Sequence, residues 1–544
     1  MKRDIAALAD RAFDLVIVGA GVYGAATAWD ASLRGLSVAL IDKGDFGSGT
    51  SFNNLKTIHG GLRYLQHADF TRMRESVRER RNLMRIAPHL VHPLPFLVPT
   101  YRGSLLKSRT AMRAALFVND LVNWDRNELA DRQKHLPAGR ALTRDACLEM
   151  ARGIEREGLT GGVLWYDAQM HNSDRLTLSF VLSAVKEGAV VANHVEATEL
   201  IRDGSQVKGV RARDVLSEDD GLELRGRLVV NAAGPWVDGL SPAPRKLFHL
   251  SKAMNLVTRP IVGDVAIGVT SRRPHRDEDA VVSAGGRFLC LVPWRDVTLV
   301  GTSHAPFDGR PDELEATEED ILELIEDVNE AYPDAKLARR DVRLVHRGLL
   351  PRAPGSLNGV GITLQKTYRL DDHREDGIEG LLTIVGVKYT TARDVAEKAV
   401  DRALALLQKA PSASRSSEMA LVGGDIESFD DFVASATGDA PRDVVRHLVY
   451  TYGSTYSEIL KGDRERIVPG SPVLAAEVRH AVREEMASDL ASVVLRRTEL
   501  GTAGHPGRAV LEACADVIQS ELGWSAVRKQ HELESLETFY RRRS

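Results

Sequence analysis

The chain has 544 residues, 43% of them hydrophobic, and a formal net charge of -4, which is enough material for two or three domains with ordinary cores. That charge and a pI near 6.5 exclude a global attraction to nucleic acid, which would require a local basic patch. Cys147, Cys290 and Cys514 lie far apart; they make neither a disulfide framework nor a metal-ligand cluster, so a reducing compartment is expected and a metal site is not.

At the N-terminus, Met1-Lys-Arg-Asp4 reaches an acid before any long apolar core, so no secretory signal is read there. No apolar run is long enough to span a bilayer. The expected location is the cytoplasm or the inner face of a membrane. The first predicted elements are an apolar strand, Phe13 to Val18, a turn holding Gly19, Gly21 and Gly24, a helix from about Val22 to Arg34, and a second strand from Ser37 to Asp42. This order is what a dinucleotide needs. Gly19 permits the tight turn, Gly21 lets backbone N–H groups approach a pyrophosphate, and Gly24 lets helix and strand pack closely. The helix N-terminus favours an anion, and Asp42 is spaced to accept ribose hydroxyl hydrogen bonds.

Next comes a polar run from Gly49 to Leu65 containing Thr50, Ser51, Lys56, His59, Gly60, Gly61, Arg63 and Tyr64. Its glycine pair allows backbone to lie flat against a ring. From Ser104 to Trp124, Lys and Arg alternate with Leu, Met, Phe and Trp at helical spacing; such a helix either touches a membrane surface or packs its apolar face on its own domain. Leu228 to Trp236 reads as a buried strand ending in the small residues Ala232, Ala233 and Gly234, as a chain passing a pyrophosphate requires. Arg287 to Pro293 and Val297 to Gly301 read as neighbouring antiparallel strands. Ile321, Leu324, Ile325 and Val328 predict a helix from Glu318 to Tyr332, stopped by Pro333.

Another apolar strand, Leu381 to Val385, leads into Gly386-Val-Lys-Tyr-Thr-Thr-Ala-Arg393, where Thr390 and Lys388 precede a helix whose N–H groups would face an electron-rich partner. The small polar residues of 410–417 read as a linker. Leu474 to Leu495 and Arg508 to Leu522 have helical periods. The expected fold is α/β plus α, with three parts. A discontinuous Rossmann-like domain spans residues 1–100, 190–245 and 360–409; an antiparallel-sheet substrate domain spans 101–189 and 246–359; beyond a linker at 410–423, a helical domain covers 424–544.

Six segments resemble the FAD-dependent glycerol-3-phosphate dehydrogenases, across most of the chain. They are the Gly19 turn, Ile58-His-Gly-Gly-Leu-Arg-Tyr-Leu65, Asn231-Ala-Ala-Gly-Pro-Trp236, Gly386 to Arg393, and the C-terminal pair Ala476 to Met486 and Leu495 to Gly501. The resemblance implies a bound FAD that accepts hydride at flavin N5 from the carbinol carbon of a polyol phosphate, while a protein base takes the hydroxyl proton. A quinone, oxygen or another acceptor would then reoxidise the flavin. It further implies that Arg63 and Tyr64 face the substrate and that Lys388 sits by the flavin and the substrate. Cofactor contacts are expected from Gly19, Gly21, Gly24, Asp42, Thr50, Ser51, Lys56, Gly60, Gly61, Ala233, Gly234, Gly386 and Thr390. A small-molecule substrate is the expected partner, and a homo-oligomer is compatible with the sequence.

The substrate pocket departs from the family pattern. Where the family has Gly-x-Arg-Pro-Leu, the chain reads Gly348-Leu-Leu-Pro-Arg352, with Leu350 at the arginine position. Lys366 stands for a second arginine, Asn255 for the histidine of Lys-Gly-x-His, and Gly301-Thr-Ser-His304 for Gly-Thr-Thr-Asp. Leu removes a bidentate phosphate clamp, whereas Lys keeps charge and loses only the fork. Asn255, Lys366 and Arg352 are the expected substrate contacts, with Arg347 and Arg369 as neighbours that could compensate. Asn255 cannot act as a base; His304, then His59, are the histidines available. These departures leave two other readings open: a flavin enzyme of the same architecture for a different alcohol, hydroxy acid or amine, and a non-catalytic flavoprotein with an interaction role.

Overall fold

Strand Ala12–Val18 pairs in parallel with Val38–Ile41 on one side and Asp219–Asn231 on the other. Val190–Ala192 and Leu381–Val385 extend this sheet in parallel, and Arg369–Asp372 closes one edge antiparallel. The structure is a computed structural model and describes residues 1–61, 69–102, 109–217, 219–241, 246–274, 286–353 and 362–543. Strands covered on both faces read as continuous apolar runs. Here helices Val22–Leu33, Ser173–Lys186 and Ala392–Leu406 share a core with Leu15, Ile17, Leu40 and Val230. The hairpin Val195–Asp203 with Gln206–Asp214 shares the opposite core with Val16, Val18 and Val229.

A second, nine-stranded sheet runs Val342–Arg352, His249–Thr258, Val297–Phe307, Gly286–Trp294, Ala266–Pro274, Val91–Tyr101, Leu159–Met170 and Thr57–Ile58, with Arg140–Thr143 attached to Leu159–Met170. All its pairings are antiparallel except the short one between Ala266–Pro274 and Val91–Tyr101. Successive side chains of a strand face opposite ways. Met254, Leu256 and Val345 therefore pack on helix Glu318–Ala331, while Val257, Leu299 and Leu344 pack on the C-terminal helices.

The sheets divide the chain differently from the expected boundaries. Thr57–Ile58 and all but the end of Val91–Tyr101 lie within residues 1–100 yet belong to the second sheet, and Ser173–Lys186 packs in the first sheet's core. The C-terminal stretch also breaks where continuous helix was expected. Helix Ala475–Glu484 ends, Met486 turns with φ 57°, and a π-helical turn follows at Val493–Arg497. The break turns Glu485 and Arg497 inward to buried partners. Residues 410–423 are irregular, as a linker should be, yet they are pinned: Ser414 donates to the Asp30 carboxylate, and Arg393 donates to Ser416 Oγ at 2.9 Å.

Candidate functional site

The glycine turn joins the ends of two parallel strands to a helix start. Gly19 has φ +97°, and a Cβ there would lie 2.6 Å from the Ala232 carbonyl oxygen. A Cβ on Gly24 would lie 1.8 Å from the Gly19 carbonyl oxygen, so helix and turn touch backbone to backbone. Gly21 caps the helix without any side-chain hydrogen bond, and the Val22 N–H donates to Ser51 Oγ at 3.0 Å. Asp42 accepts from the Ala20 and Gly44 N–H groups at 2.6 and 2.9 Å. Burial pushes its carboxyl up to about 6 against the pull of those N–H groups. Ala233 begins the turn Gly234–Leu240, and Gly234, with φ +58°, has open space where a side chain would be. A helix start with glycine at its cap, closely approaching glycines and a carboxylate at the second strand's end fit a dinucleotide's diphosphate and ribose.

Gly386 closes against the same helix. Its Cβ would lie 2.1 Å from Tyr23 Cε2, and the Tyr23 hydroxyl donates to the Lys388 carbonyl at 2.7 Å while accepting from the Val387 and Lys388 N–H groups at 3.1 Å. Sequence reasoning passed over Tyr23, although an aromatic between the second and third glycines was there to be noticed. Lys388 Nζ donates to Ser76 Oγ at 3.1 Å. Burial lowers its pKa to about 8, opposed by Glu75, Asp69 and Asp394 and assisted by Arg72. Thr390 is buried just before the helix Ala392–Leu406.

The loop after Asp42 reaches across to the second sheet. Thr50 Oγ1 donates to the Leu349 carbonyl at 3.1 Å, and Leu349 N–H donates back at 3.3 Å. Lys56 is wholly buried rather than exposed to the crevice. Its Nζ donates to Phe52 O and Ser173 Oγ at 2.7 and 2.8 Å and stands 3.9 Å from Asp174. Burial lowers its pKa to about 8, and burial likewise raises that of Asp174 to about 6. The side chain thus braces the loop from inside, which is its physical contribution to the cofactor region. Gly60 donates its N–H to Asp167 Oδ1 at 2.5 Å; Arg80 holds the same oxygen at 2.8 Å and would lie 2.2 Å from a Gly60 Cβ. Half-buried His59 precedes it, and Gly61 follows with φ +80°. Arg63 and Tyr64 lie outside the described residues.

On the second sheet, register puts two of the expected substrate residues, Asn255 and Arg352, on one face but six residues apart along the strand pair, roughly 20 Å, while Lys366 lies outside the strands. Asn255 lies opposite Gly301 on one neighbouring strand and His346 on the other, and its amide oxygen accepts from the Thr302 hydroxyl at 2.7 Å. One row along, Ala253 lies between His304 and Gly348; further on, Leu350 pairs with Ser251 and Arg352 with His249. Alternation puts Asn255, His346, Gly348, Leu350 and Arg352 on the face of Val257 and Leu344. The nucleotide-domain loop covers this face: a Gly348 Cβ would lie 3.0 Å from Thr50 Cγ2, and the rings of Phe52 and His346 are 5.3 Å apart. Arg352 is 4% exposed. Its Nε and Nη1 have no hydrogen-bond partner, and Asp308 stands 3.7 Å from Nη2. Lys366 is half-buried, and its carbonyl accepts from Arg72 Nη1 at 3.4 Å.

The C-terminal signature seals the site's back. Arg497 forks onto Asp45 at 2.7 and 2.8 Å, with Arg496 at 3.0 Å. These guanidinium groups hold the Asp45 carboxyl far below the carboxylate range despite complete burial. Glu499 meets His171 Nε2 at 2.6 Å and Arg295 at 3.0 Å. Among the described residues no cluster of three or more His, Cys, Asp or Glu is placed to hold a metal ion, and no helix is long and apolar enough to cross a membrane.

The comparisons with known proteins agree with this geometry. A family model described as FAD dependent oxidoreductase matches residues 14–377, and one described as the C-terminal domain of alpha-glycerophosphate oxidase matches 414–529. The chain is 31% identical to the glycerol-3-phosphate dehydrogenase of Synechocystis sp., covering 97% of this chain and 98% of that protein. It is 30% identical to the mitochondrial glycerol-3-phosphate dehydrogenase of Mus musculus, covering 97% of this chain and 73% of that protein. In fold it is similar to the FAD-complexed glycerol-3-phosphate dehydrogenase from Bacillus halodurans, with TM-score 0.75 and 24% identity over 99% of this chain and 96% of that one.

Proposed function

The chain belongs to the family of FAD-dependent glycerol-3-phosphate dehydrogenases, and from that premise we propose that it oxidises the carbinol of glycerol 3-phosphate with Arg352 holding the phosphate. Bound FAD supplies the two-electron acceptor; the chain's own residues bind, orient and handle charge. Gly19, Gly21, Gly24 and Ala233 would hold the diphosphate, Asp42 the ribose, and the backbone at Gly60, Gly61 and Gly386 the ring. Lys388 brings a cation to the reacting end, where negative charge on the substrate oxygen or on the cofactor would be stabilised.

What carries the substrate reading is the guanidinium of Arg352, nearly buried, with two nitrogens lacking partners. The exposed Asp308 carboxylate, 3.7 Å from Nη2, leaves the Nε and Nη1 donors unmet; buried donors without a partner are costly, and a phosphate is the anion that a guanidinium fork fits. Arg352 is two residues beyond Leu350 on the same strand face, roughly 7 Å along the strand. The clamp missing at Leu350 is thereby regained one pleat away. Since hydrogen bonds to charged groups contribute about 1.5–3 kcal/mol, Arg352→Gln should raise KM for glycerol 3-phosphate about 10- to 100-fold with a smaller change in kcat. An unchanged KM would remove Arg352 from the phosphate site, and bleaching by an uncharged alcohol or an amine in preference would favour the other donors.

For reoxidation, we propose a quinone reached at a lipid surface. Helix Arg109–Val122 buries Leu116, yet Phe117, Leu121 and Trp124 are 72%, 64% and 71% exposed. Phe117 and Leu121, four residues apart, share one helical face, with Trp124 in the turn just past the helix end; an exposed apolar set of this kind suits the acyl boundary. Sedimentation with anionic phospholipid vesicles should fall several-fold in Phe117→Ser/Leu121→Ser/Trp124→Ser; equal binding by native and triple variant would refute the lipid contact.

A further inference from the structure

Oxidising an alcohol removes a proton from oxygen as well as a hydride from carbon, so the face carrying Asn255 needs a base that an amide cannot supply. Among the described residues, two histidines are buried with both ring nitrogens lacking a hydrogen-bond partner, His89 and His346. His89 packs against Gly423 and Gly453, away from the substrate strands. His346 is the direct cross-strand neighbour of Asn255, on the same sheet face, and its ring packs on Phe52 of the loop that ties the nucleotide domain to this sheet.

We propose that His346 is the base that takes the substrate's hydroxyl proton, an assignment that rests on the substrate reading above. The O–H electron pair becomes the second bond of the new carbonyl, the hydride leaves carbon with its electrons for the bound FAD, and the proton goes to an imidazole nitrogen of His346 and then to solvent. Asn255, whose oxygen is taken by Thr302, has its NH2 group left to orient the substrate oxygen. The Asn54 backbone lies close enough to one side of the ring to act on it, so at least one ring nitrogen is left unmet; a buried nitrogen that forgoes the hydrogen bond it had in water is a cost that catalysis would explain.

The groups around His346 agree with this role. Burial, with Lys56 of the loop and Arg543 of the C-terminal tail adding like charge, holds the imidazole well below its usual value, while the Asn54 backbone pulls it up. The ring is therefore neutral at pH 7 and able to accept a proton. A hydrogen bond from the protonated imidazole to the product's carbonyl oxygen would favour the charged form and raise its basicity toward the working pH.

The test uses FAD-loaded protein, native and His346→Gln, with anaerobic stopped-flow reduction by glycerol 3-phosphate across pH. It also uses 15N-histidine NMR with dihydroxyacetone phosphate, the product, as a non-reducing ligand. We expect reduction to slow about 100- to 10,000-fold in His346→Gln, with loss of the acidic limb of the pH profile and with FAD content and product affinity kept. In native protein the His346 imidazole should titrate at higher pH when the product is bound. Reduction of His346→Gln within threefold of native, with its acidic limb intact, would overturn the assignment while leaving the substrate reading standing. Failure of native protein to be reduced overturns both. If His346→Gln and His346→Asn both lose FAD, the NMR arm decides on native protein: no imidazole resonance shifting with product counts against the proposal.

Discussion

Gly24→Ala is expected to yield a folded protein that purifies nearly colourless. The added methyl would sit 1.8 Å from the Gly19 carbonyl oxygen, which is backbone and cannot rotate aside. Gly19 cannot retreat, because its own missing Cβ already faces Ala232 at 2.6 Å. Helix Val22–Leu33 must therefore lift from its strand, carrying the Gly21 end away from the diphosphate. Overpacking of this kind costs about 1–3 kcal/mol, and at tenfold per 1.4 kcal/mol the loss falls on cofactor affinity as roughly 10- to 100-fold. Visible flavin absorbance per protein, with far-UV circular dichroism as the control for folding, measures it. Native flavin content would show that the close approach does not matter to the cofactor.

Lys388→Met should lower the rate of flavin reduction about 100- to 1,000-fold, the range seen when one preorganised charge-stabilising group is lost. The native pH profile carries the same information. Burial has brought the ammonium down to about 8, so it is a cation below that pH and neutral above it. The rate should therefore fall as pH rises through about 8. Lys388→Arg, with a guanidinium that stays charged, should keep the rate level further into the alkaline range. A profile flat through pH 8 in native protein would place Lys388 outside the charge-handling set.

The nucleotide half of the site was legible because its logic is local. Strand, glycine turn, helix and Asp42 follow one another within 30 residues, from Phe13 to Asp42, and each glycine answers a steric demand of its immediate neighbours. The substrate half depends on pairings hundreds of residues apart. Nothing near Asn255 in the sequence announces His346, because only the register of two antiparallel strands makes them neighbours. Val91–Tyr101 carried no strand reading for a related reason: Pro93, Pro95 and Pro99 obscure a strand, which here pairs along its length with Leu159–Met170. Arg496 and Arg497 were visible as part of a C-terminal signature. Their reason for being there, the buried Asp45 carboxylate just past the second strand, appeared only when the helical domain was seen packed on the nucleotide domain. Lys56 carried the opposite lesson, since a lysine in a polar run proved to be an interior brace.

Anaerobic addition of glycerol 3-phosphate to the purified yellow protein tests the account most directly. The flavin band should bleach and dihydroxyacetone phosphate should form in equal amount, with much weaker bleaching by glycerol, which lacks the group that Arg352 would hold. A flavin that stays oxidised at saturating glycerol 3-phosphate, in protein carrying its full complement of FAD, would contradict it.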